Sequence, residues 1–176
     1  MNDATSMIDR DRLEHMLAIA PFHQWLGLTV KHFEPGKLQL EMPWRDEIVS
    51  NPVIGSAHGG VLASLIDLSG LYVLLAVGHK AKATVDLRVD YHRPATQGPL
   101  LASATVVKIG RQISVADTQI TGPDDKLVAS GRTCIVAQGL YQFFVNVVHM
   151  TLNTVKMTKI SIIMYKITDD YDGKNL

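Results

Sequence analysis

One stretch limits what this chain can fold into. From Gly59 to Gly78 the sequence is apolar, and Asp67 is the single charged side chain after His58 in those 20 residues. The length equals that of a membrane span. An acid near the middle, however, costs roughly 2.5–3.5 kcal/mol on insertion, and Ser64, Ser69 and several glycines dilute the segment further. It therefore reads as a buried core helix over about residues 57–78. A helix that is apolar nearly all round has to be wrapped by other structure.

The rest of the chain supplies the wrapping. Residues 8–20 place Ile8, Leu13, Met16, Leu17 and Ile19 at helical spacing, and Pro21 ends that segment. Residues 25–33 and 37–44 read as two strands around the turn Glu34-Pro35-Gly36-Lys37. In the second, Leu38, Leu40 and Met42 alternate with Lys37, Gln39 and Glu41. Arg45 to Ser56 reads as a polar loop. Residues 83–92 alternate as a strand, with Val85, Leu87, Val89 and Tyr91 on one face and Asp86, Arg88, Asp90 and His92 on the other. Strands follow over about 100–109, 112–121 and 127–137, with turns at Gly110-Arg111 and Gly122-Pro123-Asp124-Asp125. Consecutive strands joined by short turns are expected to pair antiparallel. The order of elements predicts an α+β fold in which a curved antiparallel sheet surrounds one long helix.

Beyond about Leu140 the composition changes. Residues 140–176 contain no alanine, arginine or proline and are rich in Ile, Met, Lys, Thr and Asn. Residues 1–139 are read as the folded domain and 140–176 as an atypical C-terminal extension of unknown role.

Composition narrows the function. The chain has 176 residues, is 47% hydrophobic and carries no net charge, so it can bury a core and lacks the basic face that a nucleic-acid binder needs. With one cysteine, Cys134, it cannot build an internal disulfide framework. Met1 to Asp11 lacks an apolar signal-peptide core. A cytoplasmic protein with neither membrane nor nucleic-acid partners is expected.

Two features point to chemistry. A carboxylate on an otherwise apolar helix is costly unless paired, and such carboxylates gather at functional sites; a structural Asp bonded to a neighbouring backbone or Arg is the other reading of Asp67. Ser56-Ala57-His58-Gly59-Gly60 lies where loop becomes helix. Two glycines there let another molecule approach the backbone, and the free N–H groups and dipole of a first turn favour negative charge. The triplet is either an oxyanion site for acyl transfer or a tight entry turn with His58 as its cap. His58 and Asp67 do not have metal-ligand spacing, and no Gly-x-Ser-x-Gly elbow occurs. No metal or cofactor is expected.

The run Asn51-Pro52-Val53-Ile54-Gly55-Ser56-Ala57-His58-Gly59-Gly60-Val61, with Asp67 following, resembles the hotdog-fold thioesterases of the phenylacetate-degradation (PaaI-like) type. So does Thr84-Val85-Asp86-Leu87-Arg88-Val89-Asp90-Tyr91 with Arg93-Pro94-Ala95. The resemblance covers about residues 10–138 and implies a hotdog fold, acyl-coenzyme A as substrate, and a homodimer or homotetramer with sites at the subunit interface. It further implies that the Gly59 N–H holds the thioester oxygen, beside His58. Asp67 would act as general base or nucleophile, Thr84 would orient the attacking water, and Asn51 would lie near the carbonyl. Gly60 and Arg111 are the candidate substrate-binding residues.

Helix geometry adds a constraint of its own. Gly59 and Asp67 are eight residues apart, hence about 12 Å along the axis and roughly 80° apart in direction. They cannot both reach one carbonyl carbon within about 3–3.5 Å. If both act in one site, they come from different subunits, and two antiparallel copies create two equivalent sites.

The leading reading is hydrolysis of an aromatic or medium/long-chain fatty acyl-coenzyme A. The rival from another class is a non-catalytic acyl-coenzyme A binding or sensing module, which has no need of a carboxylate facing the thioester. Because every candidate site residue precedes Leu140, truncation after Gly139 is predicted to leave soluble protein with thioesterase activity. Folded but inactive truncated protein would place the extension in the site or in its assembly.

Overall fold

The computed structural model describes residues 8–137; the expected extension, 140–176, lies outside them. Helix α1 spans Arg10–Ile19. Its N-cap is Asp9, whose carboxylate accepts the Arg12 N–H at 2.8 Å, and it buries Leu13 and Leu17. Pro21 ends α1 as expected but also opens a second helix, α2, over Pro21–Leu26. The strand expected from residue 25 is therefore a correction: Trp25 and Leu26 are helical, and β1 covers Thr29–Glu34. Proline is pre-set for the first helical position. Gly27, at φ 68°, then closes α2 with its N–H directed to the His23 and Gln24 carbonyls.

Strand β2, Lys37–Met42, follows the turn at Gly36, whose φ of 80° suits the third position of a type II turn. Leu38, Leu40 and Met42 are fully buried, as their alternation requires. The expected polar loop after Arg45 has more structure than composition suggested. It holds a 3-10 turn at Asp46–Ile48 and a two-stranded ribbon, β3 Val49–Asn51 with β4 Ser56–Ala57. Ile48 is buried, and its carbonyl accepts the His58 N–H at 2.7 Å, while the Ala57 N–H reaches the Ala95 carbonyl at 2.9 Å. The chain is thus fixed just before the long helix begins.

That helix, α3, runs Gly59–Ala76, and four strands follow: β5 Ala81–Tyr91, β6 Leu100–Lys108, β7 Ile113–Thr121 and β8 Leu127–Ala137. The main sheet has the order β1-β2-β6-β7-β8-β5, with every neighbouring pair antiparallel. One helix packs against β2, β5, β6, β7 and β8, the helix-in-sheet arrangement implied by the sequence. Strand β5 joins β8 and not its neighbour in sequence, β6. The break through Pro94 and Gly98-Pro99 carries the chain from one sheet edge to the far side of β7, where β6 lies between β2 and β7.

Helix α3 is the one described helix long and apolar enough to span a membrane. In the fold it lies on the sheet, with ten residues buried, from Leu62 to Ala76. Two glycines permit the close contact. A β-carbon at Gly70 would meet Thr133 Oγ1 at 2.6 Å, and one at Gly131 would meet the Arg88 carbonyl oxygen at 2.4 Å and Ile66 Cγ2 at 2.8 Å. Thr133 Oγ1 also donates to the Ile66 carbonyl at 3.3 Å.

The expected alternation of β5 is only partly realised. Leu87 and Val89 are half-buried, but Val85 and Tyr91 are 53% and 56% exposed. β5 is an edge strand, and bulges between Ala81 and Ala83 and between Thr84 and Asp86 break its period.

Replacing Gly131 by alanine sets a β-carbon against backbone, which cannot rotate away. The predicted loss is about 1–3 kcal/mol, the usual range for overpacking, read as a lowered midpoint in urea unfolding. An unchanged midpoint would show that β8 does not meet β5 and α3 this closely at Gly131.

Candidate active site

The site is best built from the start of α3. His58 is its N-cap, with φ −66° and ψ 132°, and its Nδ1 accepts the Gly60 N–H at 2.9 Å. Val61 N–H turns back to the His58 carbonyl at 2.9 Å. Of the N–H groups in this first turn, Gly60 and Val61 are thereby occupied, while the Gly59 N–H has no protein acceptor among the described residues. It is the donor left to a ligand, and the helix dipole adds partial positive charge behind it. The cap also fixes the tautomer: a neutral His58 that accepts at Nδ1 carries its proton on Nε2. His58 is exposed and Gly59 half-buried.

Farther along α3, Asp67 is half-buried, not engulfed as the apolar stretch suggested. Its Oδ1 accepts the Thr84 hydroxyl at 2.6 Å, a short, charge-assisted bond from β5. This contact fixes the carboxylate in one orientation and leaves further lone pairs for a water or a substrate. Thr84 commits its proton to Asp67 and keeps its own lone pairs for a donor.

Asp67 is not isolated on the helix. Gly60, Ser64, Asp67, Leu71 and Leu75 are each half-buried or exposed, whereas Leu62, Leu65, Ile66, Ser69, Val73 and Leu74 are buried. The first set recurs every three or four residues and forms one continuous stripe along α3. The helix expected to be wrapped all round therefore has one face only partly covered within a single chain.

Of the remaining candidates, Asn51 lies in the ribbon that leads into α3, paired with Ser56, and Arg111 lies apart. Asn51 is exposed in β3, and its Oδ1 accepts the Val53 N–H at 3.0 Å, which shapes the loop and leaves the side-chain NH2 as a donor. Arg111 is exposed in the β6–β7 turn. The base of that turn is tied to the far end of α3, because Ser114 Oγ lies 2.8 Å from His79 Nε2 and accepts the Gly110 N–H at 3.0 Å. Burial holds the His79 imidazole below its usual range. Gly59 and Arg111 thus occupy opposite ends of an 18-residue helix, about 26 Å long.

The structure brings Asp67 together with Thr84, and His58 with Gly59 and Gly60. It does not bring these two groups together in one chain, nor either of them to Arg111. Sequence reasoning missed Tyr91 as a site residue, although its hydroxyl donates to the Gly59 carbonyl at 3.0 Å; its signals were its place on an alternating strand and at the end of the Thr84–Tyr91 run.

The chain is similar in sequence and fold to known proteins. Residues 54–129 match the thioesterase superfamily. Human acyl-coenzyme A thioesterase 13 is 31% identical over 127 residues, 70% of this chain and 89% of that protein. A solved structure of a thioesterase-superfamily protein is 39% identical, with a TM-score of 0.68, covering 73% of this chain and 98% of that one. The Escherichia coli PaaI protein of the phenylacetic acid degradation operon is 26% identical, with a TM-score of 0.66, covering 72% of this chain and 91% of its own. The chain therefore belongs to the thioesterase superfamily, with the hotdog fold and the thioester-hydrolysing chemistry of that family.

Proposed function

We propose that this protein hydrolyses an acyl-coenzyme A, aromatic or medium/long-chain fatty, in the cytoplasm, at sites shared between two antiparallel copies of the chain. The carrying observation is on α3, where Asp67 lies on the open stripe held by Thr84 at 2.6 Å and the unoccupied N–H of Gly59 stands at the start of the helix. Similarity to acyl-coenzyme A thioesterase 13 supports the substrate class.

The chemistry follows from few groups. A thiol has a pKa of about 8.5, so coenzyme A leaves as thiolate without a strong acid. The demanding part is charge on the carbonyl oxygen, which the Gly59 N–H and the dipole of α3 answer. Asp67 of the second copy then takes a proton from water or attacks the carbonyl itself. Thr84 keeps that carboxylate aimed, and the Asn51 side-chain NH2 borders the carbonyl. His58 acts on Gly59 by capping the turn, and Gly60, whose N–H that cap occupies, contributes the open backbone beside it.

The same geometry gives Arg111 a role. In an antiparallel pair that brings Gly59 of one copy to Asp67 of the other, the second copy's α3 continues nine residues past Asp67, about 13 Å beyond Gly59. The Arg111 turn lies at that end, where a guanidinium meets the phosphates of coenzyme A. A non-catalytic acyl-coenzyme A binder accounts for the Gly59 N–H but not for an oriented carboxylate.

Replacing Asp67 by asparagine separates catalysis from structure, because asparagine keeps an Oδ1 to accept the Thr84 hydroxyl. A general base contributes about 10²–10⁴-fold, so kcat for acyl-coenzyme A hydrolysis is predicted to fall at least roughly 100-fold, with Tm unchanged. Turnover within about 10-fold of the parent, well short of that range, would remove Asp67 from the mechanism.

A further inference from the structure

We propose that Tyr91 is a positioning residue for the oxyanion donor, acting on Gly59 through the peptide that follows it; this rests on the hydrolase reading above. The reason begins with the glycines. Gly59-Gly60 lets a substrate come close to the backbone, but glycine is the residue least restrained in φ and ψ. A donor that stabilises a developing charge has to be fixed before the reaction. Something other than the glycines themselves must therefore hold them.

The structure shows the restraint on three sides. The peptide between Gly59 and Gly60 is held at both ends: its carbonyl oxygen accepts the Tyr91 hydroxyl at 3.0 Å, and its N–H donates to His58 Nδ1 at 2.9 Å. Two peptides earlier, the His58 N–H is anchored on the Ile48 carbonyl at 2.7 Å. The peptide that carries the Gly59 N–H lies between these two fixed units, and its own carbonyl oxygen, that of His58, accepts the Val61 N–H at 2.9 Å, so its direction is set by its neighbours together with that bond. The Tyr91 ring also occupies the space of a missing side chain. A β-carbon built on Gly59 would lie 3.2 Å from Tyr91 Cε1 and 3.3 Å from Cζ and the hydroxyl oxygen.

Burial does not explain this tyrosine. Tyr91 is 56% exposed at the end of edge strand β5, so little apolar area depends on it. Its hydroxyl instead spans from the last residue of β5 to the first residue of α3. Thr84, on the same strand, makes the equivalent reach to Asp67. Strand β5 thus orients both halves of the chemistry, Thr84 the carboxylate and Tyr91 the oxyanion donor.

The test uses the full chain with phenylacetyl- and palmitoyl-coenzyme A as substrates. Tyr91→Phe keeps the ring and loses the hydroxyl, and kcat is expected to fall about fivefold, the factor carried by one ordinary hydrogen bond. KM, Tm and the mass by light scattering stay at parent values. Tyr91→Leu loses both restraints and is expected to lower kcat about 100-fold, the scale of a misplaced catalytic group, with Tm still close to the parent. A Tyr91→Phe kcat equal to the parent, or parallel losses in kcat, KM and Tm, would overturn the proposal. Asp67→Asn is assayed alongside. If it is inactive while Tyr91→Phe is normal, only the role of Tyr91 fails; if it turns over like the parent, the hydrolase reading fails and takes this proposal with it.

Discussion

The rest of the site depends on the rigidity of α3. A helix rises about 1.5 Å and turns 100° per residue, so Gly59 and Asp67 are held about 12 Å apart and point in different directions whatever the surrounding sheet does. No side-chain rotation closes that distance. On the proposed mechanism the chain provides an oxyanion donor at one point of the helix and a carboxylate at another, and a second copy of the helix, running the opposite way, would set the two face to face. The partly open stripe from Gly60 to Leu75 is the surface the proposed pairing would use.

The sheet's contribution is to seat this helix closely and to aim its functional groups. Gly70 against Thr133, and Gly131 against Ile66 and the Arg88 carbonyl, remove the side chains that would lift α3 from β8. Strand β5 then reaches the helix with Thr84 and Tyr91. Arg132 bridges β7 and β8 through a two-pronged pair with Asp117, at 2.7 and 2.8 Å, and holds the Asp117 carboxyl below its ordinary range. That pair is exposed and contributes little to stability; it lies apart from the chemistry.

Much of the fold was legible because its signals are local. The apolar run gave α3, the alternation of Leu38, Leu40 and Met42 gave β2, and Glu34-Pro35-Gly36-Lys37 gave the first hairpin. What escaped was set by tertiary context. Nothing in Phe22-His23-Gln24-Trp25 announces a short helix until Pro21 is read as an opening as well as an end. The pairing of β5 with β8 depends on a crossing between Tyr91 and Leu100 that no periodicity records. For the site, Asp67 and the His-Gly-Gly turn stood out as a lone charge and a paired glycine in apolar sequence. Their partners were less direct: Thr84 stood out only through the resemblance to the family, and the Tyr91 hydroxyl belongs to an ordinary strand residue until the strand is folded back along the helix. The expectation of a fully wrapped helix also went too far, because hydrophobicity alone cannot distinguish a face covered by the same chain from one left for another.

The shared site is the central claim, and a hybrid of two inactive chains tests it most directly. One chain carries Asp67→Asn. The other carries Gly59→Pro, which deletes the N–H at the first helical position, a position whose backbone accepts proline, and presses the new ring on Tyr91; the extended His58 before it, at φ −66° and ψ 132°, is compatible with a following proline. Each alone is predicted to be inactive. A purified dimer of the two contains one site with an intact Gly59 from one chain and an intact Asp67 from the other, and it is predicted to show about half the acyl-coenzyme A hydrolase activity of the parent. A hybrid as inactive as its two components would contradict the account, because it would show that each site takes both groups from one chain.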